Sequence, residues 1–397
     1  MQIKDPILFV EINNKEYNFV AGSFDENQNF EIIEKITSNN EGINENKIIN
    51  IDQASEKIKK NIEIIEKKLN FVFKETTILL ENFDFNCVNI SGYKKLNGSQ
   101  VLKENISFII NSIKSLILYS NQKKSIVHIF NSKNILDNVI IENLPIGLYG
   151  NFYSHELTFF LMDTNDLKNV KKIFLENNLK VKKIFLKQFG EGAQLIKNYS
   201  NETFIRIKIN ETKTDLIYFD KSAFKYSESF KFGTDIIYRD IQKICSINND
   251  TIKNFLSSIP FNKNTIDETE ILENKFFLNT SFRKIRKKLI KEVAEARIYE
   301  IIEIILKKNI NIKSFQNNPQ IYLAIKDSKI EDNFREKFKS CLLNHKYSDY
   351  NIIEDINLNE IISSIAHLSF YGWKKEAIPI TQTKKSLVTR VFKSLFG

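Results

Sequence analysis

Two short phrases hold most of the chemistry this sequence could do. Residues Lys208 to Asp215 read KINETKTD, between an alternating run (Phe204, Ile205, Ile207 and Ile209 with Arg206 and Lys208) and the apolar run Leu216 to Phe219. That pattern predicts two strands and a tight polar turn. Near the amino terminus, Ile7 to Ile12 and Tyr17 to Ala21 predict a second hairpin, with Asn13 and Asn14 following Glu11. A hairpin of this kind wraps phosphate when glycines bring successive backbone N–H groups close and an acid beside them organises Mg²⁺. Neither turn contains a glycine.

Other catalytic chemistry finds little footing. His128, His155, His345 and His367 form no metal-binding spacing, and Cys87, Cys245 and Cys341 are isolated, as in reduced cytosolic thiols. No catalytic residue and no metal site is expected. The net charge of +9 favours anionic partners, but acids and bases are interleaved and no nucleic-acid signature is present. At 397 residues and 42% hydrophobic, the chain can bury a core of two or more domains. Its 11 glycines leave few places for close approach of backbone to phosphate. No run is apolar enough for a signal peptide or a spanning helix.

The elements that must position the hairpins follow an α/β order. After the first hairpin come strands at Phe30 to Thr37 and Ile49 to Ile51, then a helix from Asp52, with Asp52 as its cap and Ala54, Ile58, Ile62, Ile65 and Leu69 on one face. A strand TTILLENFD precedes a stretch read as turn-rich, CVNISGYKKLNGSQV, and a helix from Lys103 to about Ser120. Strands SIVHIF and HELTFFLMD, helix NDLKNVKKIFLENN, strand KVKKIFLK and a short helix opening at GEGAQLI lead to the second hairpin.

Several phrases, in order, resemble the bacterial cell-division FtsA family of the actin-like ATPase superfamily. They are KIINIDQASEKIKKNIEIIE, NISGYKKLNGSQV, HIFNSKNILDNVIIENLPIGLYG, FKFGTDIIYRDI with Gly233, Asp235, Asp240 and Ile241, and EARIYEII with Ala296, Arg297, Glu300 and Ile301. The resemblance covers nearly the whole chain and rests on common order and spacing. It implies a two-domain actin-like fold of ribonuclease H-like halves around a nucleotide cleft, with an FtsA-type inserted subdomain and a C-terminal amphipathic helix. The implied domains are 1–76 and 161–202 for the first, 77–160 for the insert, 203–372 for the second, 373–385 for a linker and 386–397 for a membrane-targeting helix.

On that alignment the two hairpins are the family's phosphate loops with their motifs lost. Glu11 survives, but Asn13 and Asn14 replace Gly-Thr. In the second, Lys208 replaces the metal-organising acid; Asn210, Glu211 and Thr212 replace the glycines, and only Thr214 and Asp215 are kept, with Gly233 downstream. Ala324, Ile325 and Lys326 replace the adenosine-binding glycines, and the water-orienting position falls at Lys187 or Gln188. No cofactor is expected on this reading; ATP with Mg²⁺ is the alternative.

The carboxy terminus is readable by itself. In TKKSLVTRVFKSLFG, Leu387, Val388, Val391, Phe392, Leu395 and Phe396 share half a helical wheel, with Arg390 and Lys393 opposite. Such a basic amphipathic helix can lie in an anionic lipid surface, or dock on its own protein's core. The resemblance implies the former, at the cytoplasmic face of the inner membrane and the division septum. It also implies binding of the FtsZ C-terminal tail, for which Arg283, Arg286, Lys288 and Arg297 are candidates, with self-polymerisation and contacts to other division proteins. The expected function is a non-enzymatic tether of FtsZ filaments; an active ATPase, or an adaptor like PilM, are the alternatives.

Overall fold

The computed structural model describes residues 5–44, 46–258, 268–277, 281–314, 319–327 and 350–377. By the density of its contacts the chain divides into two units. The first takes the described residues of Met1–Glu202, Phe219–Tyr226 and Ile356–Gly397, the second those of Thr203–Tyr218 and Ser227–Asp355.

In the first unit β1 (Ile7–Ile12), β2 (Glu16–Phe24) and β3 (Phe30–Asn39) form an antiparallel meander. A short hairpin, β4 (Ile43–Asn44) with β5 (Lys47–Ile48), leads to helix α1 (Ile51–Leu69). The strand expected at Ile49 to Ile51 is therefore not there. Asn50, not Asp52, caps the helix: its side chain accepts from Gln53 N, and Asp52 sits in the first turn. Next, β6 (Glu75–Leu80) pairs parallel to β1, so Thr77 to Leu80 belong to this sheet and the inserted subdomain starts later than residue 77.

The insert contains β7 (Phe85–Lys95), helix α2 (Lys103–Ser120), β8 (Lys124–Leu136), β9 (Val139–Ile141) and β10 (Phe152–Asp163), in an antiparallel sheet ordered β7-β10-β8-β9. The stretch read as turn-rich is thus mostly an 11-residue strand. Within it a Cβ at Gly92 would press on Ile109 and Ile113 of α2, so the glycine lets helix and sheet approach. Ile106, Ile109, Ile110 and Ile113 of α2 meet Tyr153, Leu157 and Phe159 of β10 in a separate apolar core. The chain returns through α3 (Thr164–Leu175), β11 (Lys180–Leu186), parallel to β6, and α4 (Lys187–Tyr199).

His155 is fully buried in β10, and neither ring nitrogen has a hydrogen-bond partner among the described residues. Burial pushes its pKa down to about 4, against an ordinary 6.5. The unfolded chain therefore takes up the proton that the native chain refuses. The stability this group contributes is complete above pH 6.5 and lost as pH falls to 4, about 3 kcal/mol in all. Urea unfolding at pH 7 and pH 4.5 should show most of that loss in the parent and a much smaller one in His155→Phe; equal losses would remove His155 as the cause.

Most of the second unit's sheet comes from β12 (Phe204–Ile209), β13 (Thr214–Asp220) and β14 (Ala223–Phe230), of which Phe219–Tyr226 are counted with the first unit; helices α5 (Asp235–Cys245), α6 (Asn249–Ser258), α7 (Lys287–Ile302) and α8 (Ile310–Ser314) follow, then β15 (Gln320–Ile325) and β16 (Tyr350–Ile352). Its sheet is ordered β14-β13-β12-β15-β16, with β12, β15 and β16 parallel. The first sheet is ordered β3-β2-β1-β6-β11. Counted along the chain, both read third, second, first, fourth, fifth: one topology used twice.

The last described helix, α9 (Leu358–Tyr371), corrects the expected boundary at residue 372. It packs on α4 and β3 of the first unit; Ser364 Oγ donates to Gln194 Oε1 at 2.5 Å, and Ile361 and Ile365 close over Gly190. The proposed membrane helix, with Leu387, Val388, Arg390, Val391, Phe392, Lys393, Leu395 and Phe396, lies outside the described residues. No helix among the described residues is long and apolar enough to cross a membrane.

Candidate functional site

The first hairpin closes on itself. Asn13 Oδ1 accepts from Lys15 N at 2.8 Å and Glu16 N at 2.9 Å, the turn chemistry for which asparagine is suited. The backbone N–H groups that a glycine turn would offer to phosphate are taken by this side chain. Asn14, exposed, joins the side chain of Asn46 and accepts from its N–H at 3.1 Å.

Beside it, Glu11 is 1% exposed on β1. Its Oε2 accepts from Asn18 Nδ2 at 2.8 Å, and Lys187 Nζ lies 2.5 Å from its Oε1 and 2.8 Å from Glu81 Oε2. Lys187 opens α4, at the end of β11, and Glu81 follows β6; the parallel strands β1, β6 and β11 bring their carboxyl ends together here. Burial raises the pKa of Glu11, against the attraction of Lys187. Burial also opposes the Lys187 ammonium, but Glu81, Glu11 and Glu191 together hold its pKa well above the ordinary value, so it stays charged. Of the two residues aligned with the water-orienting position, Lys187 is the one that engages the surviving acid. Gln188 is buried with its Oε1 unpartnered among the described residues.

The second hairpin is closed by Asn210 N to Lys213 O at 2.8 Å. Lys213 pairs with Asp215 at 2.9 Å, Asp215 also accepts from Ser229 Oγ at 2.5 Å, and Thr214 Oγ1 donates to Phe232 O. Glu211 and Thr212 are exposed at the tip. Thr234 N and Asp235 N, at the start of α5, donate to the carbonyls of Asn210 (3.0 Å) and Glu211 (2.8 Å). A helix start is an anion-binding position; here these two amides hold the hairpin's own carbonyls. Gly233 makes that approach feasible, since a Cβ would collide with both carbonyl oxygens.

Lys208 is buried on β12, 2.7 Å from Asp355 Oδ2, while Arg206 Nη2 lies 3.0 Å from Oδ1 of the same carboxylate. Asp355 carried no signal in the sequence. Ala324 and Ile325 belong to β15, opposite Lys208 and Ile209, and Lys326 N donates to Ile209 O at 2.9 Å. The adenosine-type loop is thus a strand end, followed by Asp327, which accepts from Tyr238 Oη at 2.6 Å. Residues 328–349 lie outside the described set.

The basic residues assigned to a partner separate. Arg283 and Arg286 are exposed, whereas Lys288 pairs with Glu268 and Glu292. Arg297 pairs with Asp240 of α5 and, at 2.7 Å, with Glu300, so its charge ties α7 to α5. Among the described residues no group of three or more His, Cys, Asp or Glu is placed to hold a metal ion.

Two units of one repeated sheet topology, each opening on a hairpin at the phosphate-loop position, define an actin-like ATPase fold. A chain of the PilM-PilN type IV pilus biogenesis complex shares it, with a TM-score of 0.52 at 9% identity over 92% of this chain and 98% of that one. No family model matches the sequence. In sequence the chain is a divergent relative of the cell division protein FtsA. It is 22% identical to FtsA of Buchnera aphidicola subsp. Schizaphis graminum over 305 residues, 75% of this chain and 72% of that protein. FtsA of Borreliella burgdorferi is 20% identical over 305 residues, 75% and 73% respectively.

Proposed function

We propose that this protein is a non-enzymatic tether in cell division, an actin-like scaffold that holds FtsZ filaments to the cytoplasmic face of the inner membrane at the septum. The observation that carries this reading is the Lys187 ammonium between Glu11 and Glu81. The acid that would organise Mg²⁺ already holds a fixed cation, and its second oxygen is taken by Asn18. A magnesium ion brought there would meet like charge at contact distance, so the residues present do not fit ATP-Mg²⁺. The closed turns at Asn13 and Asn210 support the same conclusion, and the FtsA relatives supply the cellular setting. With Arg297 engaged by Asp240, the residues left for an acidic FtsZ tail are Arg283 and Arg286.

Co-sedimentation with anionic liposomes tests this. The protein should carry FtsZ into the pellet equally with and without ATP-Mg²⁺, and Phe392→Glu with Phe396→Glu should leave both in the supernatant. Recruitment only with ATP would favour an active ATPase; no recruitment in either condition would turn the assignment to a different actin-like adaptor.

A further inference from the structure

Helix α2 of the insert is apolar on two opposite faces. Ile106, Ile109, Ile110, Ile113 and Ile117 are buried in the insert's core. At about 100° per residue the opposite side carries Phe108, Leu118 and Tyr119, separated by Asn111 and Ser115, with Leu116 at its margin. Phe108 is 54% exposed, Leu116 65% and Tyr119 81%. Single exposed apolar side chains are ordinary on a folded surface, but a helix that is apolar on both faces normally has both covered.

The charges around this outward stripe are almost all of one sign. Lys103 and Lys114 share one flank of it on the helical wheel, Lys94 of β7 holds its ammonium 4.4 Å from the centre of the Phe108 ring, and Lys123 follows the helix end. Among the described residues none of these four lysines is in an ion pair, and Glu104 in the first turn is the helix's one acid.

The chain also leads from this subdomain toward its C-terminal segment. Ala377 lies in the same apolar core as the buried face of α2, and its N–H donates to Ile129 O at 2.8 Å. Residues 378–385 can carry the segment of Leu387 to Phe396 at most about 30 Å from there. Helix α2 is itself about 27 Å long. A surface that takes up the segment therefore comes within reach of α2.

We propose that the outward face of α2 is a second lipid contact, in which Phe108, Leu118 and Tyr119 enter the headgroup boundary of an anionic bilayer and the four lysines meet its phosphates. The charge pattern selects this occupant. A second copy docked face to face would bring the lysines of both helices together, with Glu104 as the one acid on each. The basic C-terminal segment, with Arg390 and Lys393, would meet the same repulsion. An anionic bilayer offers acidic headgroups and, directly beneath, an apolar layer, which suits both the lysines and the rings. Two contacts on one chain bind more tightly than either alone and fix which face of the insert turns to the lipid. That this lipid is the cell's inner membrane rests on the tethering reading; the contact itself does not.

Co-sedimentation of the full-length protein with vesicles of phosphatidylglycerol and phosphatidylcholine tests it. Phe108→Glu with Tyr119→Glu should weaken binding about tenfold or more. Lys103→Gln with Lys114→Gln should weaken it about twentyfold at low salt, each near-surface lysine contributing about fivefold. These side chains lie outside the buried core, and circular dichroism confirms that both variants fold. Brominated acyl chains should quench the fluorescence of Tyr119→Trp well beyond that of the parent, whose single tryptophan, Trp373, is tied to Ser222 O. Undiminished binding in the folded Phe108→Glu, Tyr119→Glu variant, or no added quenching in bound Tyr119→Trp, would overturn the proposal and leave the C-terminal contact standing. Binding that Phe392→Glu with Phe396→Glu leaves unchanged, but the α2 substitutions abolish, would support it and overturn the C-terminal contact instead. A dimer in sedimentation velocity that Phe108→Glu dissociates would overturn it by giving this face to a second copy.

Discussion

Replacing Lys187 with methionine destabilises the protein by about 3–5 kcal/mol, the cost of removing one partner from a buried ion pair. The apolar stem is conserved, so lost packing is small. What remains is Glu11, 1% exposed, with Glu81 close by and no cation. Burial already raises the pKa of Glu11, and Lys187 is the main force opposing that rise. Without it the carboxyl binds a proton more readily, and the loss is largest at high pH, where ionisation is forced. Adding Glu11→Gln removes the stranded charge and should recover much of the stability. For a unit of this size, thermal unfolding should fall by about 10 °C in the single variant and by less in the double. A single variant within about 1 kcal/mol of the parent would mean that the pair does not hold the strand ends together.

Gly233→Ala should cost about 3 kcal/mol, through overpacking and two weakened hydrogen bonds. The new methyl group would meet the carbonyl oxygens of Asn210 and Glu211, and backbone cannot rotate aside as a side chain can. Those carbonyls accept from Thr234 N and Asp235 N, so the second hairpin must move off the start of α5. Denaturant unfolding measures the loss, and hydrogen exchange at Thr234 and Asp235 locates it. Unchanged protection at both amides would show that the hairpin does not close on the helix as described.

Local pattern made much of the fold legible. Alternation gave the hairpins at β1–β2 and β12–β13, and helical spacing gave α1, α2 and α3, because these signals sit within one element. The stretch from Cys87 to Val101 is mostly strand and not turn, and the place of Gly92 in it follows from the approach of α2, which no local rule contains. Helix α9 was misplaced because only its tertiary contact with Gln194 and Gly190 returns it to the first unit.

The site divided in the same way. Loss of glycine at Asn13, Asn14 and Asn210 to Thr212 was visible directly. The ion pairs beside these turns were not, since Lys187 meets Glu81 across 106 positions and Arg206 meets Asp355 across 149. Arg297 shows the converse. Its place in a matching phrase suggested a partner, while its nearest carboxylates belong to the same chain.

Under the proposed function the hairpins at Asn13 and Asn210 persist as structure without nucleotide chemistry, and titration calorimetry of ATP with Mg²⁺ into the protein is the decisive test. No saturable heat is expected up to millimolar nucleotide, in the parent and in Glu11→Gln alike. A saturable isotherm in the micromolar range, weakened by Glu11→Gln, would contradict it and return Glu11 to the role of a metal-organising acid.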